Sequence, residues 1–446
     1  MIKSYAGEDI TMRRNLCVGI LKEAKEEERR APLTPQDVNW LIKRGINVEI
    51  ESSRSRIFKD WEYRKAGSRV LTRFREARLL LGIKAPHPED LYRNKIYLVF
   101  SHTMKGQAQN MPLIRGCLEK NITLIDYEKI VDMHNKRLVY FGRFAGICGV
   151  IDSLHYLGNK LEWKGIRNPF SLIQPAHRYD SLHDLKRAMV KLDNEIRTRG
   201  FDKKSSPFII GITGHGHVSS GVTEILAALN PMEIHPKDMR RFLKHQRGMR
   251  HRIYKIAFLR EEKYRSKDGK GFYYEEYLGH PERFESNLDN YLPYINMFIH
   301  ASYWDRRYPR TVTKKMIHRL SRKKPFRLDF IGDISCDIGG SVELTYKTTT
   351  PDEPTFTYDP AKKKFVDGYK SPGITVLAVD NLPTELPKDA SQEFSGLIRD
   401  YVYQIAAHGV RDLTEHAALP AEIRRAVIAQ GTRLTRGFRY LAKWVR

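Results

Sequence analysis

Nowhere in the 446 residues does an apolar run approach the ~18 that a membrane-spanning helix needs. The opening stretch MIKSYAGEDITMRRN also lacks the apolar core of a secretory signal. Cysteine is scarce. Cys17, Cys117, Cys148 and Cys336 stand far apart with no C-x-x-C pair, so disulfides and zinc are not expected, and free thiols in a reducing cytoplasm are. Acidic residues are few as well: 53 Asp and Glu face 78 Lys and Arg, for a formal charge of +25. A field of that sign attracts anions such as phosphorylated cofactors or dicarboxylic acids. Its clusters, KDMRRFLKHQRGMRHRIYK (237–255) and KKMIHRLSRKKPFR (314–327) among them, come without a zinc finger or an aromatic RNP segment. They read as a solvated basic surface rather than a nucleic-acid interface.

What is present suits a folded protein of two or three domains. Apolar residues make up 41% and aromatics 11% of the chain, which excludes a disordered polymer. Strand patterns recur at NLCVGILKE, INVEIES, RLLLGIK, KIYLVFSH, ITLIDY and RLVYFG. Helical patterns lie between them, the first capped by Thr34 with Pro35 in its opening turn. This rhythm predicts α/β architecture with mainly parallel sheets. Small residues Ala145, Gly146 and Gly149 in 141–158 predict close helix packing. The domain boundary is expected near 170, with residues 1–170 plus 390–446 in one domain and 171–389 in the other. Residues 240–300 read as a charged insertion, and EFSGLIRDYVYQIAAHG and AEIRRAVIAQGTRL as helices that return to the first domain.

FIIGITGHGHVSSGVTEILAAL (208–229) is a buried strand, a glycine turn and a helix. Gly214 serves the turn, and Gly216 lets the backbone approach a pyrophosphate at the helix N-terminus. Ser219 stands where a third glycine is usual, with Gly221 two residues on. The second strand reads PMEIHPKDMRR, ending at His235 where a ribose-binding acid is customary and followed by Lys237, Arg240 and Arg241. Cations there favour NADPH over NADH, although a one-residue change in register would put the acid Glu233 in place.

LLLGIKAPHPEDLYRNKIYLVFSHTMK (79–105) contains two buried-strand patterns, one closed by Lys84 and the next by His102. Ends of parallel strands gather at one rim of a sheet, so the pair is expected to share a cleft. Arg30, Lys105, Arg137 and Arg143 also fall at loops or strand ends, and arginine forks suit substrate carboxylates. In FIGDISCDIGGSVE, Asp333 and Asp337 with Gly339 and Gly340 follow a strand, where glycines allow a ligand to approach.

RRAPLTP (29–35), GIK (82–84), FSHTMK (100–105), LIDYEKIVD (124–132), FGRFAG (141–146), TGHGHVSSG (213–221), GDISCDIGGSVE (332–343) and AVDNLPTELPKDASQEFS (378–395) occur in one order. That set resembles the lysine–ketoglutarate reductase half of aminoadipic semialdehyde synthase. It is similar, too, to lysine-forming saccharopine dehydrogenase and, more distantly, to alanine dehydrogenase and transhydrogenase. The resemblance spans residues 15–430 and implies two Rossmann-like domains with the active site in the cleft between them. It implies condensation of lysine with 2-oxoglutarate and reduction by NADPH to saccharopine. Lys84 and His102 match the family's catalytic pair, with Lys84 assigned to the substrate nitrogen and His102 to the departing water. Arg30, Lys105, Glu128 and Arg137 match its substrate-site residues. Gly214, Gly216, Val218, Ser219, His235, Asp337, Asp380, Leu382 and Pro383 are the cofactor-site positions. A separate saccharopine-oxidising enzyme is the implied partner, because the chain stops near the end of the reductase half.

Two other functions remain open at this point. One is reductive amination with a different amine or 2-oxo acid. The other is non-catalytic binding of a dinucleotide or nucleic acid through the basic surface.

Overall fold

The computed structural model describes residues 16–445 apart from 26, 105, 245–248, 409–411, 416 and 417. The chain divides into two units, Met1–Tyr140 with Pro387–Arg446, and Phe141–Leu386. Each contains an eight-stranded sheet. Among the described residues no helix is long and apolar enough to cross a membrane.

In the first unit six parallel strands lie in the order β6-β5-β4-β1-β2-β3: β1 (Val18–Ile20), β2 (Val48–Glu51), β3 (Arg69–Leu71), β4 (Leu79–Lys84), β5 (Ile96–Phe100) and β6 (Thr123–Asp126). These strands are almost wholly apolar where they are central, as a sheet covered on both faces requires. The segment AEIRRAVIAQGTRL is not helical throughout. Its helix ends at Ala426, and Val427–Gln430 then pairs antiparallel with β6, extending the sheet. Its apolar spacing is short enough to fit either period, and the open edge of β6 decides the outcome. RLVYFG is likewise not a strand; Arg137 makes only an isolated bridge to Val131.

The returning helix Pro387–His408 fixes the loop after β1. Ser391 Oγ and Ser395 Oγ accept from the backbone N–H groups of Ala31 (2.9 Å) and Thr34 (3.0 Å). Arg399 and the Ser395 hydroxyl both reach the buried Asp37 carboxylate, while Thr34 caps its helix by accepting from Asp37 N at 3.1 Å.

The second unit's sheet has six parallel strands and an antiparallel edge pair. At its centre β7 (Phe208–Thr213) lies between Met297–His300 and β9 (Ile253–Phe258), and β8 (Met232–Glu233) is a two-residue strand outside β9. Residues 240–300 are therefore not simply an insertion, since they supply the strand next to β7. Charged flanks hid it; within β9 Tyr254, Ile256 and Phe258 share one buried face, and Ile253 is buried on the other. The helix Gly142–Trp163 falls in this unit, so the division lies at Tyr140 rather than near residue 170. It is held there by backbone contact with the helix His217–Ala227. A Cβ on Gly146 would overlap the Val218 carbonyl, and one on Gly221 would overlap the Arg143 carbonyl.

Gly146→Ala and Gly221→Ala should each destabilise the second unit by about 1–3 kcal/mol or more, because backbone cannot yield as a side chain does. Gly396→Ala, on an open helix face, should be neutral or stabilising by up to about 1 kcal/mol. Urea unfolding of the three variants checks the contrast.

Candidate active site

Three adjacent strands of the first unit deliver one polar cluster at their carboxyl ends. Lys84 ends β4, His102 follows β5 by two residues, and Glu128 follows β6 by two. Lys84 Nζ lies 3.3 Å from His102 Nε2. His102 Nδ1 is 3.7 Å from Glu128 Oε1, and the same oxygen is 3.4 Å from Arg137. An ammonium donating to Nε2 leaves the imidazole proton on Nδ1, facing the Glu128 carboxylate. His102 and Arg137 are about half exposed, so the cluster can meet a solute.

The supports of this cluster are buried. His102 has φ +53°, a left-handed backbone that costs a residue other than glycine about 1–3 kcal/mol. Three contacts hold it there. Its carbonyl accepts from Asn110 Nδ2 at 2.8 Å, its ring stacks on Phe100 at an interplanar angle of 16°, and the preceding Ser101 is tied to Asp126. Asp126 is wholly buried and accepts from Ser101 N (3.2 Å), the Ser101 hydroxyl and Glu128 N (2.8 Å). One carboxylate thus sets the loops of both β5 and β6. Burial raises its pKa to about 6.

Glu23 does the same for β4. The β4–β5 register shifts between Leu81 and Lys84, and the N–H groups of Ile83 and Lys84 turn to the Glu23 carboxylate at 2.6 and 3.0 Å. Burial, with the nearby Glu28 charge, pushes Glu23 up to about 7. Neither Glu23 nor Asp126 was a candidate from sequence. Each acts on backbone far away in the chain, and nothing local marks that.

Other expected carboxylate binders fare differently. Arg30 is buried and grips Glu28 through both arms of its fork, at 2.7 and 2.5 Å. Arg143 lies in the second unit and is bonded through two nitrogens to Glu224, each at 2.7 Å. Lys105 lies outside the described residues.

In the second unit, Gly214 has φ +111° and packs its Cα against the Ala301 carbonyl, whereas a Cβ on Gly216 would meet nothing within 4 Å. Gly216 is the N-cap of the eleven-residue helix His217–Ala227. Open space over a helix N-terminus suits a phosphate. Ser219 is buried, and the close helix packing usually given by a third glycine falls to Gly221. Val218 lies at that crossing through its carbonyl. His235 follows the edge strand β8, half exposed and 3.3 Å from Glu262. It does not end the strand beside β7; that strand is β9, followed by Leu259 and Arg260. Asp337 and Asp380 are exposed beyond two parallel strands, and Cys336 Sγ is 3.9 Å from Asp380. Asp333 is buried, accepting from Ser335 and Thr345 at 2.6 Å each, so its role is to shape the loop. Leu382 and Pro383 are interior residues.

Residues 19–148 match the N-terminal domain of alanine dehydrogenase/PNT, and residues 281–435 match its C-terminal domain. The chain belongs to the alanine dehydrogenase/PNT family. Within that family it is 33% identical, over 96% of its length, to "Alpha-aminoadipic semialdehyde synthase" of Arabidopsis thaliana, and covers 41% of that protein. It is 32% identical, over 93% of its length, to the Mus musculus "Alpha-aminoadipic semialdehyde synthase, mitochondrial", covering 46% of it. The chain therefore spans less than half the length of these two relatives. The Neurospora crassa "Saccharopine dehydrogenase [NAD(+), L-lysine-forming]" is 27% identical over 84% of the chain and 87% of that protein. Among solved structures, an L-alanine dehydrogenase superposes with TM-score 0.62 at 18% identity, covering 96% of this chain and all of that one. A transhydrogenase from Sinorhizobium meliloti gives 0.54 at 14%, covering 94% and 98%. These share the family's two-domain Rossmann-like fold.

Glu23 holds its proton more tightly when folded (about 7) than in an open chain (4.5). Its contribution to stability is complete below pH 4.5 and lost as pH rises through 7. Between those limits the protein should lose roughly 3 kcal/mol relative to Glu23→Gln, read from paired urea titrations at pH 4.5 and pH 8. Parallel curves would place the Glu23 proton elsewhere.

Proposed function

We propose that this chain is a nicotinamide-dinucleotide oxidoreductase that condenses the ε-amine of L-lysine with 2-oxoglutarate and reduces the resulting imine to saccharopine. The observation that carries this reading is the contact of Lys84 Nζ with His102 Nε2 at 3.3 Å, backed by Glu128 and Arg137. The names of the two synthases and of the Neurospora crassa enzyme support the same choice of substrates.

Imine formation and reduction need two proton movements. A carbinolamine must lose water, which requires a proton delivered to its oxygen, and the imine nitrogen must be protonated as hydride reaches carbon. An amine and an imidazole in contact can serve both. Lys84 is assigned to the substrate nitrogen and His102 to the water. The His102 proton lost in dehydration is replaced along the Lys84–His102 contact, and Glu128 stabilises the imidazolium while it exists. Arg137, half exposed, offers a fork to a carboxylate of the oxo acid. Glu128 also favours a substrate with a second positive centre, as lysine has at its α-carbon.

When bound, the dinucleotide supplies the hydride. Gly214, Gly216 and the N-terminus of the helix His217–Ala227 would hold its phosphates. Asp337 and Asp380 would lie along its ribose, with Leu382 and Pro383 supporting their loops. NADPH is the preferred cofactor in this reading, since the strand beside β7 ends at Phe258 and is followed by Leu259 and the cation Arg260, the acids Glu261 and Glu262 coming only after them in the next helix. The site fits a substrate-derived dicarboxylate far better than a nucleic acid, for its cations face carboxylates one by one instead of forming a stripe. The surrounding cellular compartment is read as cytoplasmic, and the saccharopine formed would pass on to an oxidising step.

The test is oxidation of NADPH followed by absorbance, with lysine and 2-oxoglutarate supplied singly and then together. Turnover only with both, and saccharopine identified by mass, is the expected result. Turnover with another amine would move the assignment to a different reductive aminase, and none with any amine would end it. Lys84→Met and His102→Gln should each cut kcat by about 100-fold or more. Both should leave NADPH binding intact, and a lost affinity would contradict the division of labour between the units.

A further inference from the structure

Lys263 is a buried cation without a counter-ion. It is the last residue of the short helix Arg260–Lys263 after β9, and its side chain is 8% exposed. Among the described residues no carboxylate lies within ion-pairing distance of it. Its neighbour Glu262 is turned away, accepting from Leu259 N at 2.7 Å and facing His235. The Lys263 ammonium has one hydrogen-bond acceptor, Ser302 Oγ at 3.3 Å, and lies 4.9 Å from the centre of the Tyr264 ring. Burial, reinforced by the charge of Arg260, draws its pKa down to about 8. A lysine in this state is incompletely satisfied, and an ammonium with donors to spare in a closed site calls for an anion.

Its position indicates which anion. Ser302 follows the strand Met297–His300, and the adjoining Ala301 N–H donates to Thr213 O at 3.0 Å. A Cβ on Gly214 would overlap the Ala301 carbonyl and come within 3.2 Å of Ser302 N. The Lys263–Ser302 contact therefore abuts the first glycine of the turn. A second unsatisfied nitrogen shares the neighbourhood. His300 is wholly buried, with Nδ1 3.0 Å from the Thr213 hydroxyl and Nε2 without a partner. Burial and the Lys263 charge keep its ring neutral, with a pKa of about 3. So two under-bonded nitrogens, one of them cationic, adjoin a glycine turn that opens onto a helix N-terminus.

We propose that Lys263, steadied by Ser302, binds a phosphate group of the dinucleotide at the Gly214–Gly216 turn. This rests on the reading of the second unit as a dinucleotide-binding unit. The helix N-terminus alone offers roughly half a positive charge, less than the negative charge of a pyrophosphate or a 2′-phosphate. Lys263 adds a full charge, and a lysine binds phosphate as a point charge without a fixed fork.

The experiment is titration of NADPH and of NADH into the intact chain and into Lys263→Met, read by nucleotide fluorescence and calorimetry. The variant should bind NADPH at least about 10-fold more weakly. An equal loss for NADH assigns the pyrophosphate, and a loss confined to NADPH assigns the 2′-phosphate. Unchanged affinity for both in a variant with native circular dichroism overturns the proposal while leaving the dinucleotide reading intact. Failure of the unaltered chain to bind either nucleotide ends both. Should the Met variant not fold, acetic anhydride labelling of the unaltered chain tests the same contact. Saturating NADPH should protect Lys263, and undiminished labelling there overturns the proposal.

Discussion

Where a parallel sheet ends, its backbone donors lose their ladder partners, and in the first unit buried carboxylates take them over. Asp126 gathers N–H groups from the loops after β5 and β6, and Glu23 those at the end of β4. Just before β4 begins, Glu49, fully buried, collects the N–H groups of Arg75, Glu76 and Ala77. A carboxylate has about four lone-pair directions, so a single residue can fix a loop that water would otherwise leave loose. The left-handed backbone at His102 persists because of this anchoring. Without it the imidazole would have no fixed distance to Lys84, and two ordinary side chains would not make a proton-transfer pair.

The strand ends that carry Lys84 and His102 were legible because the signal is local: an apolar run, then a polar residue. The glycine turn before His217–Ala227 was legible for the same reason. The failures were nonlocal. Glu23 acts on residues 83 and 84, and no pattern near position 23 reveals that. β9 was concealed by the charges around it, and His235 took its place as the end of a strand. Val427–Gln430 became a strand because β6 offered an unpaired edge. The limit is thus one of pairing: a sequence names the donors and acceptors, whereas the fold decides who meets whom.

The excess of positive charge is distributed by environment. Arg30, Arg137 and Arg143 each face a carboxylate, and a guanidinium cannot shed its proton. Buried lysines are treated otherwise. Lys160 is wholly enclosed, donating to the carbonyls of Tyr369 and Ser371 beside the Trp163 ring, and its pKa falls to about 8. Lysine can respond to a closed, uncharged setting by yielding its proton. In these two residues of one unit burial, and not the net charge of the chain, sets how tightly a lysine holds its proton.

The first unit is assembled from both ends of the described chain, with the second unit running uninterrupted through the middle. During synthesis β6 leaves the ribosome long before Val427–Gln430 exists to cover its edge, and before Ser391 and Ser395 can hold the loop of Arg30. The second unit has every strand of its own sheet in one continuous stretch and can close first. Until the last segment arrives, the nascent first sheet presents an open edge of backbone donors and acceptors, the kind of surface that recruits foreign strands. Correct assembly then depends on how long the exposed edge must wait, a vulnerability that the finished fold conceals.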